Sequence, residues 1–311
     1  MKIAVIGPGA MGLLFGGKLS AAAMVTLVGH NPAHMEGISR CGVEIERDGV
    51  ETFHPLAAVN GEVKEPQDLV ILFTKAYLSE EALAANRAMI GKDTFLLTLQ
   101  NGMGHEEILA KFAEIDHVLI GTTAQGSTRK NGHAIRNSGL GETMIGAVSP
   151  GQEDRLKEIC DVFEQAGFPA KVSESVRFAV WNKIMINASS SVLSGVLGMP
   201  QGYVVENPDA WKICTALIRE ICAGAKSEGY HFDEEEQIER IKNHLLAAKD
   251  GITSICADLQ NGRRTEIDYI SGGVVRAAEK NGVPVPTQKM MVDLVHAMEG
   301  RNRKKSAFAE V

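Results

Sequence analysis

The stretch Lys2-Ile3-Ala4-Val5-Ile6-Gly7-Pro8-Gly9-Ala10-Met11-Gly12 decides the fold. Ile3 to Ile6 form a short unbroken apolar run, as expected of a strand buried on both faces. Gly7, Gly9 and Gly12 follow at once in G-x-G-x-x-G spacing. Residues 10–23 then place Met11, Leu13, Leu14, Phe15 and Leu19 in a helix-like pattern. A glycine turn between a buried strand and a helix is a dinucleotide fingerprint. Gly7 permits the tight turn, Gly9 admits a pyrophosphate close to the backbone, and Gly12 lets helix and strand pack. The helix N-terminus adds unpaired N–H groups and positive dipole for the phosphates. Gly7, Pro8, Gly9, Ala10, Met11 and Gly12 are therefore candidate cofactor-binding residues.

Working outward, residues 25–28, 69–73, 95–99 and 118–120 read as further buried strands separated by helix-like stretches. That alternation predicts a parallel sheet covered on both faces, a doubly wound α/β domain. Residues 41–55 read as a polar hairpin, and 134–137 with 142–148 as a strand pair at the edge. From about residue 173 the pattern is nearly all helical, with candidates at 175–194, 209–228, 233–249, 265–281 and 288–299. The expected division is 1–172, a Rossmann-type nucleotide domain, and 173–311, a helical domain for substrate and catalysis. Asp233 reads as an N-cap, as does Thr265, which would put Glu266 in a first helical turn. The basic tail 301–311 is expected to fray.

Composition narrows the function. The chain has 311 residues, enough for two ordinary domains, and 44% apolar against 23% charged residues excludes a disordered chain. A net charge of −7 and only 5% aromatic residues argue against nucleic-acid partners. No run approaches the ~18 apolar residues of a transmembrane helix. The start Met1-Lys2 leads straight into a strand-like run, so no signal peptide is expected. The five cysteines, Cys41, Cys160, Cys214, Cys222 and Cys256, are scattered without C-x-x-C spacing. Reduced thiols in the cytoplasm, and no zinc cluster, are expected. His30 and His34 have i, i+4 spacing but no third ligand nearby, so no metal site is expected.

Behind the second strand, where an NAD enzyme carries Asp or Glu for the ribose, stands Gly29-His30-Asn31-Pro32. The absent carboxylate favours NADP, with His30 and Asn31 near the ribose. Thr74-Lys75-Ala76 and Gln100-Asn101-Gly102 each follow a predicted parallel strand, the end at which ligands bind in this class. Thr74, Lys75 and Asn101 are thus further candidates, although an ordinary turn or surface lysine would read alike. In Trp181-Asn182-Lys183-Ile184-Met185-Ile186-Asn187, Lys183 and Asn187 share one helix face amid apolar neighbours. A lysine there requires a partner or a task, unless it snorkels to water.

These motifs, with Arg263-Arg264-Thr265-Glu266-Ile267-Asp268-Tyr269 and Val283-Pro284-Val285-Pro286-Thr287, come in the order seen in the ketopantoate reductase family, which the whole chain resembles. The resemblance implies a Rossmann domain followed by an all-helical domain similar to that of 6-phosphogluconate dehydrogenase. It implies reduction of 2-dehydropantoate to pantoate with NADP(H), a step toward pantothenate and coenzyme A. Lys183 then matches the catalytic lysine and Glu266 the essential carboxylate. Asn187 and Ser254 match substrate-binding positions, Asn101 the nicotinamide and substrate side, and Lys75 a cofactor-phosphate position. The expected partner is a small 2-oxo acid, in a monomer or homodimer. Two positions depart from the family pattern. Ser191 stands where members carry a second asparagine, and no arginine follows the second strand. The alternatives are a reductase of a related branched 2-oxo acid, a 3-hydroxy acid dehydrogenase, or a non-catalytic NADP-binding regulator. The pair Lys183 and Glu266 speaks against the regulator.

Overall fold

The computed structural model describes residues 1–61 and 63–309, with 304–309 by backbone alone. In chain order the first part comprises β1 (Lys2–Ile6), α1 (Ala10–Leu19), β2 (Met24–Gly29), α2 (Pro32–Cys41), β3 (Val43–Arg47), β4 (Val50–His54), β5 (Ala57–Asn60) and β6 (Leu69–Leu72). Next come α3 (Ser79–Ala85), β7 (Phe95–Thr98), α4 (His105–Leu109), β8 (Val118–Arg129), β9 (Ala134–Ala147), α5 (Glu153–Gln165) and β10 (Ala170–Val172). The remainder is helical among the described residues: α6 (Val176–Ile186), a π-helical turn (Asn187–Ser191), α7 (Val192–Leu197), α8 (Gln201–Glu206), α9 (Pro208–Ser227), α10 (Glu234–Ala247), α11 (Ser254–Gln260), α12 (Ser271–Lys280) and α13 (Pro286–Ala309). No described helix is long and apolar enough to cross a membrane.

The chain forms two compact units. One holds Met1–Gln100 and His105–Ala179; the other holds Asn101–Gly104 and Val180–Val311. The division thus falls inside α6, and the short Asn101–Gly104 segment groups with the helical residues.

The first unit is one curled ten-stranded sheet in the order β4-β3-β9-β8-β7-β6-β1-β2-β5, with β10 beside β9. Its centre, β5 to β8, is parallel throughout. β1 lies between β2 and β6, so the order reverses at β1, the switch point at which ligands bind in open α/β sheets. The strand core is aliphatic: every residue of β6 (Leu69, Val70, Ile71, Leu72) is buried, as a sheet covered on both faces requires. Phe15 of α1 stacks on Phe168 with centroids 4.2 Å apart and on Phe73 at 4.8 Å, which seals the helix to the sheet.

Three elements differ from the sequence expectation. The edge strands at 134–137 and 142–148 are one continuous strand, β9, paired antiparallel with a β8 that runs on to Arg129. A Cβ at Gly141, between the two expected strands, would fall 2.0 Å from the Ala124 Cβ. Crowding by the neighbouring strand, not a turn, selects glycine there. Second, residues 265–270 form a turn, and α12 begins only at Ser271. Third, α13 stays helical to Ala309; the end of the expected frayed tail, Glu310 and Val311, lies outside the described residues.

In the second unit Trp181, Leu217, Ile221, Ile241, Val274 and Val295 belong to one buried core. Asp233 caps α10, accepting from the Glu236 N–H at 2.8 Å.

Candidate functional site

The glycine turn belongs to the first unit. The Gly7 N–H donates to Val28 O at 3.0 Å and the Phe73 N–H to Ile6 O at 2.8 Å, so β1, β2 and β6 converge on it. Gly7 has φ +106°, and a Cβ there would fall 2.6 Å from Thr74 N. A Cβ at Gly12 would lie 1.8 Å from Gly7 O. Both positions therefore exclude a side chain for reasons of fold. Gly9 differs: extended at φ −75°, its notional Cβ meets nothing nearer than Phe73 O at 4.0 Å. Glycine at position 9 leaves open space over the N-terminus of α1, the space a pyrophosphate needs. The turn fits a dinucleotide.

Around it, Thr74 is held by Gln100, whose Nε2 donates to Thr74 O at 2.7 Å. The Gln100 amide is itself fixed by Thr98 Oγ1 at 2.7 Å and lies 3.0 Å from Ser79 Oγ. Gln100 belongs to the segment Gln100-Asn101-Gly102, but the sequence alone assigns it no role. A buried side-chain amide among hydroxyls can only be recognised once its neighbours are known. Lys75 precedes the short helical turn Ala76–Leu78 and is half-buried. His30 is exposed. Asn31 caps α2, its Oδ1 accepting from the His34 N–H at 2.9 Å.

Lys183, Glu266, Asn187, Ser191, Ser254 and Asn101 all fall in the second unit. Lys183 is half-buried on α6 beside fully buried Ile184 and Met185. Desolvation pushes its amine down to about 8, and the nearby Glu266 carboxylate acts in the opposite sense. The ammonium thus feels a nearby carboxylate in desolvated surroundings. Asn187 opens the π-helical turn that ends at Ser191. Such a turn inserts extra backbone within a continuous helix and re-aims the side chains that follow; π-bulges are frequent at functional sites. Ser189 and Ser190 donate back to the Met185 and Ile186 carbonyls, stabilising the local irregularity.

Ser191 O accepts from Thr253 Oγ1 at 3.2 Å, and Thr253 caps α11 through the Cys256 N–H. The backbone of Ser191 is thereby tied to the residue before Ser254, the exposed first residue of α11. Glu266 sits in the 265–270 turn. Its O accepts from the Tyr269 N–H at 3.0 Å.

The turn is anchored by Glu299 of α13, whose Oε1 accepts from both Thr265 N and Thr265 Oγ1 at 2.8 Å. Glu299 was not singled out in the sequence, where it looks like any acidic residue late in an amphipathic helix. The Asn101–Gly104 segment joins the same turn: the Met103 N–H donates to Tyr269 O at 2.8 Å. A Cβ at Gly102 would fall 2.6 Å from the Tyr269 Cβ. The backbone of Asn101–Gly104 is thus fastened three residues from Glu266.

An ammonium of lowered pKa beside a carboxylate, with Asn187 on the next turn, can stabilise charge developing on a carbonyl oxygen and can supply a proton. Sequence comparison agrees with that chemistry. Residues 3–150 match the family model described as "Ketopantoate reductase PanE/ApbA", and residues 175–299 match its C-terminal counterpart. A 2-dehydropantoate 2-reductase of Halobacterium salinarum is 31% identical over 299 residues, covering 95% of this chain and 98% of that one. One of Pyrococcus abyssi is 29% identical over 98% of this chain and its whole length.

Among solved structures, a D-mandelate dehydrogenase in complex with NADH and anilino(oxo)acetate superposes with TM-score 0.91. It shares 30% identity and covers 97% of this chain and 100% of that one. A PanE/ApbA family ketopantoate reductase from Ralstonia eutropha gives TM-score 0.86 at 27% identity over 97% and 100%.

Proposed function

We propose, from the premise that this chain belongs to the ketopantoate reductase PanE/ApbA family, that it reduces 2-dehydropantoate to pantoate with NADPH. Membership makes it an oxidoreductase of a small molecule that works with a pyridine nucleotide. The observation that carries the reading further is the Lys183–Glu266 pair, with the amine lowered to about 8.

Reducing a ketone builds negative charge on its oxygen. A reduced nicotinamide, when bound, supplies the hydride to the ketone carbon. In this reading Lys183, protonated at neutral pH, donates a hydrogen bond to the ketone oxygen. It passes its proton there as the charge develops and is reprotonated from solvent. Glu266 accepts from the substrate hydroxyl and favours the charged form of Lys183. Asn187, Ser191 and Ser254 orient the substrate, with Ser254 donating to its carboxylate. Asn101 would serve the nicotinamide and substrate side. The turn Gly7 to Gly12, with Thr74 and Lys75, holds the phosphates, and His30 and Asn31 border the adenosine ribose.

A second reading draws on one specific observation, the similarity to a D-mandelate dehydrogenase that binds NADH. It takes Ser191 as opening the site to a different 2-oxo acid. One experiment decides: nucleotide oxidation, with NADPH and NADH in turn, on 2-dehydropantoate, 2-oxoisovalerate and phenylglyoxylate. A site built to bind the substrate hydroxyl discriminates strongly against the analogue lacking it. The expected result is a kcat/KM for 2-dehydropantoate at least ~100-fold above that for 2-oxoisovalerate. Equal rates on those two, or a preference for phenylglyoxylate with NADH, would replace this reading with the second.

A further inference from the structure

The chain lacks an arginine behind β2, yet a guanidinium reaches the glycine turn from elsewhere. Arg129, the last residue of β8, donates from Nη2 to Pro8 O. Ser127, two residues earlier on the same strand, donates to Ala10 O at 3.0 Å. The ribbon of β8 and β9 is therefore fastened along the glycine turn.

Two contacts place this corner at the end of β2. A Cβ on Gly29 would fall 2.8 Å from Pro8 Cγ, so Pro8 packs on the last residue of β2. His34, in the first turns of α2, has its Nε2 2.5 Å from Gly132 O in the loop joining β8 to β9. In this fold class the residues behind the second strand meet the adenosine ribose, and an arginine near them accommodates a 2′-phosphate.

The charges of the ribbon single out Arg129. Lys130 pairs with Glu51 at 2.9 Å and Arg136 with Glu46 at 2.6 Å. Among the described residues no carboxylate pairs with Arg129. Its guanidinium is partly desolvated, which holds its pKa below the ordinary value while leaving it charged. Arg129 is otherwise exposed, with one donor on the Pro8 carbonyl and no described carboxylate beside it. It is well suited to a ligand phosphate, which guanidinium meets with paired hydrogen bonds.

We infer that Arg129 is the specificity-determining residue for the cofactor, contributing from the β8–β9 ribbon the cation that binds an adenosine 2′-phosphate. The inference rests on the NADPH reading above and deepens it.

The test is calorimetric binding of adenosine 2′,5′-bisphosphate and of 5′-AMP to the full chain, wild type and Arg129→Gln, Arg129→Lys and Arg129→Ala. The glutamine keeps a donor for Pro8 O without the charge, so it separates phosphate recognition from bracing of the turn. The expectation is that wild type prefers the bisphosphate. Arg129→Gln should lose at least about tenfold in its affinity while 5′-AMP binding stays within about twofold, as loss of one charge-assisted contact implies. Arg129→Lys should retain much of the preference, and the KM ratio of NADPH to NADH should rise in parallel in Arg129→Gln.

Equal losses for both nucleotides in Arg129→Gln and Arg129→Ala, or no loss in either, would overturn the assignment while leaving the NADPH reading intact. Equal affinity of wild type for the two nucleotides would instead overturn the NADPH reading, and the role of Arg129 with it.

Discussion

Lys183 and Glu266 act on one another across the second unit: packing pushes the lysine amine down to about 8, and the Glu266 carboxylate opposes that fall. The balance leaves an amine that is mainly protonated at neutral pH yet ready to release its proton, the poise general acid catalysis requires. The protonated form is the active one in the reductive direction, so kcat/KM for the ketone should decline as pH rises through about 8.

Glu266→Gln removes a carboxylate that raises the Lys183 pKa. The alkaline limb of the kcat/KM profile should then begin at lower pH than in wild type, and the plateau should fall by at least about tenfold. Reductive pH–rate profiles of both proteins check this. A limb at unchanged pH would show that the two side chains are not coupled.

The same pair carries a stability consequence. The folded-state pKa of Lys183 lies below its ordinary 10.5. The folded protein therefore binds fewer protons than the unfolded chain between about pH 8 and 10.5, and the lysine's destabilising contribution fades as pH rises through that window. Lys183→Met should accordingly melt higher than wild type near pH 7. Discounted for its partial exposure, the gain is about 1–2 kcal/mol, or roughly 2–6 °C. Melting curves from pH 6 to pH 10 should show the gain shrinking at the alkaline end; a lower melting temperature at neutral pH would contradict it.

Much of this was legible in the sequence where local chemistry dictates structure. The buried run before Gly7, the polar hairpin of β3 and β4 and the Asp233 cap each follow from a few adjacent residues. The glycine turn was readable because Gly7 and Gly12 answer to atoms a few residues away or on neighbouring strands. What escaped depends on distant partners. Thr265 does cap locally, its Oγ1 accepting from the Ile267 N–H at 3.2 Å, but its own hydroxyl and N–H donate to Glu299, thirty-four residues on, and only a short turn follows. The π-helical turn at Asn187–Ser191 has no local signature beyond its run of serines. Arg129 gave no signal because the atom it donates to, Pro8 O, lies 121 residues away in the chain.

The glycines separate fold from binding. Gly12→Ala would drive a Cβ to 1.8 Å from Gly7 O and must displace the turn; the protein should lose several degrees of thermal stability and nearly all nucleotide affinity. Gly9→Ala meets nothing within van der Waals contact distance, so it should melt within about 2 °C of wild type yet bind NADPH at least tenfold more weakly. Thermal shift with and without nucleotide distinguishes the two. A Gly9→Ala protein of undiminished affinity would remove the turn from the cofactor site.

Glu299 is buried at 7% exposure, and its carboxylate serves both donors of Thr265. Glu299→Ala leaves those donors unsatisfied, at a cost of about 1–3 kcal/mol. It should also loosen the turn that presents Glu266, lowering kcat more than it raises KM. Glu299→Gln, which retains an accepting oxygen, should be much milder. Steady-state kinetics beside melting curves test this, and a variant destabilised without change in kcat would make Glu299 purely structural.

The most direct test of the central claim is Lys183→Ala, assayed for NADPH oxidation on 2-dehydropantoate with NADPH affinity measured in parallel. Loss of a single oriented donor to the developing oxyanion predicts a fall in kcat of at least ~100-fold with the nucleotide Kd unchanged. A kcat within about fivefold of wild type at unchanged Kd would show that the ketone oxygen takes its hydrogen bond from some other group.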